Sequence, residues 1–94
     1  MDRQLLKRII ETYGIENQML QCVEEMAELT QAINKYRRAE KLDTAVDAYK
    51  QVIEEIADVQ IMIEQMRLMF DGDEVDIVIF EKLERMEGRL NGCS

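Results

Sequence analysis

Four carboxylates recur at one spacing in this chain. Glu25 and Glu28 stand three residues apart, and Glu55 and Asp58 repeat that interval after twenty-six intervening residues. Side chains three apart project from adjacent turns of a helix on neighbouring sides. Two such helices laid antiparallel would aim both pairs at one gap. With 0 His in the sequence, a Ser-His-Asp triad, a Cys-His pair, a His-ligated zinc site and a Glu-x-x-His di-iron bundle are all excluded. A metal here must sit among oxygen ligands, which selects a hard cation, Mg²⁺ first and Mn²⁺ as a substitute.

Acidic pairs at this interval usually decorate a solvated helix face. Three features favour ligands instead. The pattern occurs twice, in Gln21-Cys-Val-Glu-Glu-Met-Ala-Glu-Leu29 and Gln51-Val-Ile-Glu-Glu-Ile-Ala-Asp-Val59, where every aligned pair is identical or conservative. Glu24/Glu28 and Glu54/Asp58 are like-charge neighbours four apart, each costing a few tenths of a kcal/mol in an isolated helix. The stretches 14–34 and 51–66 contain neither Lys nor Arg, so their negative charge has no local cation.

The elements that must position these acids are read from apolar spacing. Residues 2–13 form a first helix on Leu5, Leu6, Ile9, Ile10 and Tyr13, with Gly14 as its stop. A second starts near Asn17 as N-cap and runs to about Arg38 on Met19, Val23, Met26, Leu29 or Thr30, and Ile33. Ala39–Thr44 is the expected turn, with Thr44 capping a third helix and Asp47 in a capping-box role. That helix continues to about Phe70 on Tyr49, Val52 or Ile53, Ile56, Val59, Ile63 and Met66. Asp71-Gly72-Asp73 breaks it, and a fourth helix carries Val75, Ile79, Leu83, Met86 and Leu90 before Asn91-Gly92. In a hairpin turning near Lys41, Ala27 and Ala57 lie roughly 21–24 Å from the turn at about 1.5 Å per residue. The two acidic pairs are then level, and the small Ala side chains would let the helices approach closely.

The whole chain, residues 1–94, reads as one all-α domain. Hydrophobic residues make up 47% of it, with no Trp and no Pro. So short a chain cannot bury that much apolar surface alone, so a homodimer or homotetramer is expected to complete the core. Met at stripe positions is packing filler rather than a cofactor box. A net charge of −8 disfavours nucleic acid and anionic membrane surfaces. There is no membrane span and no signal-peptide core. Cys22, at core spacing, and Cys93, in the tail, form no disulfide framework, which makes the cytoplasm the default compartment.

The pattern Glu25-x-x-Glu28 followed by Glu55-x-x-Asp58 resembles the MazG-like all-α nucleotide pyrophosphohydrolases. Tyr13-Gly14 and Gln18 ahead of Glu-Glu-Met-Ala-Glu-Leu, the Glu-Glu-Ile-Ala-Asp-Val repeat and Lys82-Leu83-Glu84-Arg85 agree with it, over roughly residues 13–90. The resemblance implies a four-helix bundle with two long antiparallel central helices. It also implies hydrolysis of a (deoxy)nucleoside triphosphate to monophosphate and pyrophosphate, for nucleotide pool sanitation or dNTP control. In the roles it suggests, Glu25, Glu28, Glu55 and Asp58 hold Mg²⁺, and Glu24 or Glu54 orients or deprotonates the attacking water. Bound Mg²⁺ would bridge carboxylates and phosphate oxygens and acidify that water. The family frequently stacks its base on a Trp, and this chain has none.

Phosphate needs cations besides the metal. Lys82, Arg85 and Arg89 recur on one face of the fourth helix, with Lys82 and Arg85 the phosphate candidates, although Glu81 can pair with Arg85. Lys35 and Arg38 read first as partners of the helix dipole and second as substrate contacts. Gln18 and Gln21 share a side with Glu25 and are candidates for base or sugar; Tyr13, Tyr36 and Tyr49 are candidates for stacking, with core capping as the alternative. Two competing readings stay open: a helical oligomerisation or regulatory module that binds metal or nucleotide without turnover, and a scaffold with no ligand.

Overall fold

The computed structural model describes residues 1–92, so Cys93 lies outside the described residues. Four helices follow one another: α1 (Arg3–Tyr13), α2 (Ile15–Arg38), α3 (Leu42–Met69) and α4 (Gly72–Leu90), and no strand occurs among the described residues. Asp2 caps α1 by accepting from Leu5 N at 3.1 Å, and Asp71 caps α4 by accepting from Glu74 N at 3.1 Å. The α2 terminus carries Lys35, Arg37 and Arg38 in its last turn, where cations meet the negative end of the dipole.

Two expected starts are corrected. α2 begins at Ile15 rather than after Asn17, because Gly14 takes φ 94° and its carbonyl accepts from Gln18 N at 3.0 Å. Glycine reaches that backbone conformation without a Cβ penalty, and one residue therefore suffices to separate α1 from α2. Asn17 is inside the helix, its side-chain amide donating to the Tyr13 carbonyl at 2.8 Å. α3 begins at Leu42 rather than after Thr44, with the Lys41 carbonyl accepting from Ala45 N at 2.9 Å. Thr44 sits in its first turn, and α3 has no side-chain cap. The turn shortens to Ala39–Lys41, which folds α2 and α3 tightly into one long hairpin.

α1 packs across α2 and α3 at the open end of that hairpin, where Leu6 is buried. The hairpin core is not the apolar stripe. Buried positions are Cys22, Ala32 and Met62, together with three polar side chains, Gln18, Glu55 and Gln65. Gln18 Nε2 donates to Gln65 Oε1 at 2.8 Å, and Gln65 Nε2 points at the Met62 sulfur at 3.7 Å, so the buried amides serve one another. Val23, Met26 and Ile33 of α2 and Ile53, Ile56 and Ile63 of α3 are exposed by 41% or more. Ala27 and Ala57 are exposed too, which corrects their expected role between the helices. The helices are apolar on more than one side, a hairpin buries only one side of each, and the side buried is the one carrying Cys22 and Glu55.

α4 packs against α3 alone. Its ties lie at its N-terminal end: Arg67 Nη2 donates to Asp76 Oδ1 at 2.8 Å, and a Cβ on Gly72 would stand 3.3 Å from the Arg67 carbonyl oxygen. No α4 side chain is buried, and Phe80, Leu83 and Leu90 are 64%, 57% and 88% exposed. The radius of gyration is 17.0 Å, against about 12 Å for a compact chain of this length. A single copy is thus an open helical assembly, with its fourth helix extended from the hairpin. No described helix is long and apolar enough to cross a membrane.

Candidate metal centre

The repeat brings three of its four acids together between the hairpin helices. Glu25 and Glu55 occupy equivalent positions of the two motifs and face each other from α2 and α3. One oxygen from each of Glu25, Glu28 and Glu55 lies within 4.8 Å of the others. Asp58 does not enter that trio, but its negative charge acts on Glu25. Burial is graded through the group: Glu55 is 6% exposed, Glu25 is half-buried, and Glu28 and Asp58 are exposed. One end of the cluster is sheltered and the other opens to solvent.

Each of the two inner carboxylates is held by the Gln four residues before it. Gln21 Nε2 donates to Glu25 Oε1 at 2.8 Å, and Gln51 Nε2 donates to Glu55 Oε1 at 2.8 Å. Gln21, a substrate candidate from the sequence, instead orients Glu25 in the structure. Gln51 had no assigned role, although its place in the repeat, equivalent to Gln21, was the signal that could have found it. The second oxygens, Glu25 Oε2 and Glu55 Oε2, are buried without a hydrogen-bond partner. A buried acceptor left unmade costs about 1–3 kcal/mol, more when charged. Carboxylates whose nearest oxygens lie within 4.8 Å of one another repel, when both are charged, by a few kcal/mol at an effective dielectric constant of about 20, before solvent screening at the open end.

The Glu25 carboxyl is pushed above the ordinary glutamate range, first by burial and then by the charges of Glu28, Asp58 and Glu55, against the opposing hydrogen bond from Gln21. Two orphaned, buried oxygens facing a third carboxylate fit a divalent cation, whose charge offsets the repulsion and whose coordination fills the open acceptors. Glu25, Glu28 and Glu55 are the residues that could hold it, with Asp58 beside them.

The remaining candidates are distributed differently. Glu24 and Glu54 are exposed, and among the described residues neither has a hydrogen bond or ion pair. Gln18 is buried and committed to Gln65. Lys82 and Arg85 line a cavity of about 130 Å³ with Met86 and Arg89, to which none of the four acids contributes. Lys35 and Arg38 instead line a cavity of about 440 Å³ at the hairpin turn, which Gln51 also lines. Tyr36 and Tyr49 tilt toward each other with ring centroids 6.1 Å apart, and Tyr13 is 61% exposed. Cys22 is buried, and burial raises its thiol pKa, so it is an inert core group. No family model matches the chain, and neither a curated protein nor a solved structure gives a match.

Proposed function

We propose that the paired acidic motifs form a Mg²⁺ site and that the protein is a MazG-like hydrolase converting nucleoside triphosphates, ribo- or deoxyribo-, to monophosphate and pyrophosphate. The observation that carries this reading is the pair of buried, unpartnered oxygens, Glu25 Oε2 on α2 and Glu55 Oε2 on α3, on carboxylates that cluster with that of Glu28. Such a cluster is a poor structural element and a good cation cage. The resemblance of the doubled motif supplies the reaction.

Glu25, Glu28, Glu55 and Asp58 are the ligands in this reading. When bound there, Mg²⁺ neutralises phosphate charge and acidifies water. Gln21 and Gln51 keep the inner carboxylates from rotating, so that their free oxygens stay aimed at the gap. Glu24 and Glu54, adjacent in sequence and exposed, are the groups available to accept a proton from the attacking water. The protein acts as a homo-oligomer: apolar side chains on α2 and α3 and most of those on α4 stay uncovered in one copy, and covering them would also close the bundle. Mn²⁺ is the expected substitute for Mg²⁺.

The test is pyrophosphate release from a panel of NTPs and dNTPs, in Mg²⁺ and in chelator. Metal-dependent release from at least one nucleotide is expected. Mg²⁺ binding without release from any nucleotide would leave a metal-binding module and sink the hydrolase.

A further inference from the structure

We propose that the cavity at the hairpin turn is a phosphate subsite, in which Lys35 and Arg38 take the part of a condensed phosphate chain that the acidic cluster cannot reach. The inference rests on the metal-site reading of that cluster. Lys35 and Arg38 line the cavity with Thr44, Asp47 and Gln51. Gln51 is therefore shared: its side chain borders the cavity and donates to Glu55 Oε1 at 2.8 Å. The cavity and the cluster are one turn apart on α3.

The helix geometry puts both on one face. Lys35 follows Glu28 by seven residues, two turns of α2, which returns it to nearly the same direction about 10 Å nearer the turn. Asp47, Gln51 and Asp58 recur on α3 with the same logic. By this spacing the acids are followed toward the turn by two cations, which share their cavity with the carboxylate of Asp47. Neither cation is spent on a carboxylate. Among the described residues Arg67 is the only Lys or Arg in an ion pair, although the chain carries 20 acids against 12 Lys and Arg. Lys35 and Arg38 line the cavity without an ion pair to any carboxylate, which leaves both available to an anionic ligand. The α4 cations do not compete for this role in one copy, since α4 contacts α3 alone.

The probe is inorganic tripolyphosphate, titrated calorimetrically into the full chain in Mg²⁺ and, separately, in chelator. The double variant Lys35→Met, Arg38→Met should weaken tripolyphosphate by on the order of 10- to 100-fold in either medium. Its Mg²⁺ affinity, titrated alone, should match that of the unaltered chain. Arg37→Met removes one cation from the opposite side of the same helix turn and should change neither. Unchanged tripolyphosphate affinity in the double variant, or an equal loss in Arg37→Met, overturns the subsite, as does failure of the unaltered chain to bind tripolyphosphate in both media. Absence of Mg²⁺ binding by the unaltered chain instead overturns the metal centre, and the chelator titration then reads the cavity on its own.

Discussion

Gln51 holds one oxygen of Glu55 at 2.8 Å and leaves the other, Oε2, buried without a partner. The same relationship links Gln21 to Glu25 on the facing helix. The two helices thus present matched half-sites, each with one carboxylate oxygen fixed and one free.

Metal should stabilise the fold. At a Mg²⁺ concentration about 100 times its Kd, linkage adds about 2.7 kcal/mol, which for a domain of this size raises Tm by about 10 °C or more. Glu55→Gln should remove that response. Without metal the same variant should melt higher than the unaltered chain, by on the order of 1 kcal/mol. Its amide oxygen keeps the Gln51 hydrogen bond, and its amide nitrogen offers a donor to the facing carboxylates. Thermal melts with Mg²⁺ and with chelator check both halves; a metal-free Glu55→Gln that melts lower would contradict the repulsion described above.

The pH dependence follows from Glu25. Its folded pKa is raised, so between the ordinary value of 4.5 and that raised value the folded chain holds a proton that the unfolded chain has lost. Metal-free stability from this group is therefore complete below the ordinary value and declines as pH rises through the raised one. Mg²⁺ binding runs the opposite way, strengthening as the proton leaves. Denaturant melts in chelator across that range should show the decline in the unaltered chain and a flatter profile in Glu25→Gln.

Turnover should need the outer acids as well as the buried ones. Glu28→Gln and Asp58→Asn should each lower pyrophosphate release by at least about 100-fold while leaving helical circular dichroism intact. Glu24→Gln and Glu54→Gln separate the proton acceptor from a bystander: the acceptor's variant should lose about 10²–10⁴-fold in kcat, and the other should stay near normal. Normal hydrolysis by Glu28→Gln would remove the ligand assignment.

Association should depend on the exposed face of α4. Sedimentation of the unaltered chain should give a dimer or tetramer, whereas Phe80→Glu with Leu83→Glu should shift it toward the monomer, because a charge at the centre of an apolar interface is left desolvated and unpaired. A monomeric unaltered chain at micromolar concentration would rule out the oligomer.

Much of this arrangement is written locally. The repeat of Gln-x-x-Glu-Glu-x-Ala-acid defines two like helices, a single short turn forces them antiparallel, and helix periodicity then brings Glu25, Glu28 and Glu55 together. Gly14 and Asp71 set helix boundaries through backbone freedom and capping, which neighbouring residues decide. Asn17 and Thr44 misled because good capping types also sit inside helices when a nearer residue can start the turn.

Which side of each helix goes inward is not a local property. α2 and α3 are apolar around much of their circumference, so spacing nominated Val23, Met26 and Ile56 for the core. The hairpin instead buried Cys22, Ala32 and Met62 and carried Gln18, Gln65 and Glu55 in with them. That choice depends on the contacts of α1, α2 and α3 with one another, which no single helix encodes. The placement of the cations was decided the same way: α4 attaches through Arg67 and Asp76, so Lys82 and Arg85 stay off the cluster within one copy. The short turn leaves Lys35 and Arg38 beside Gln51.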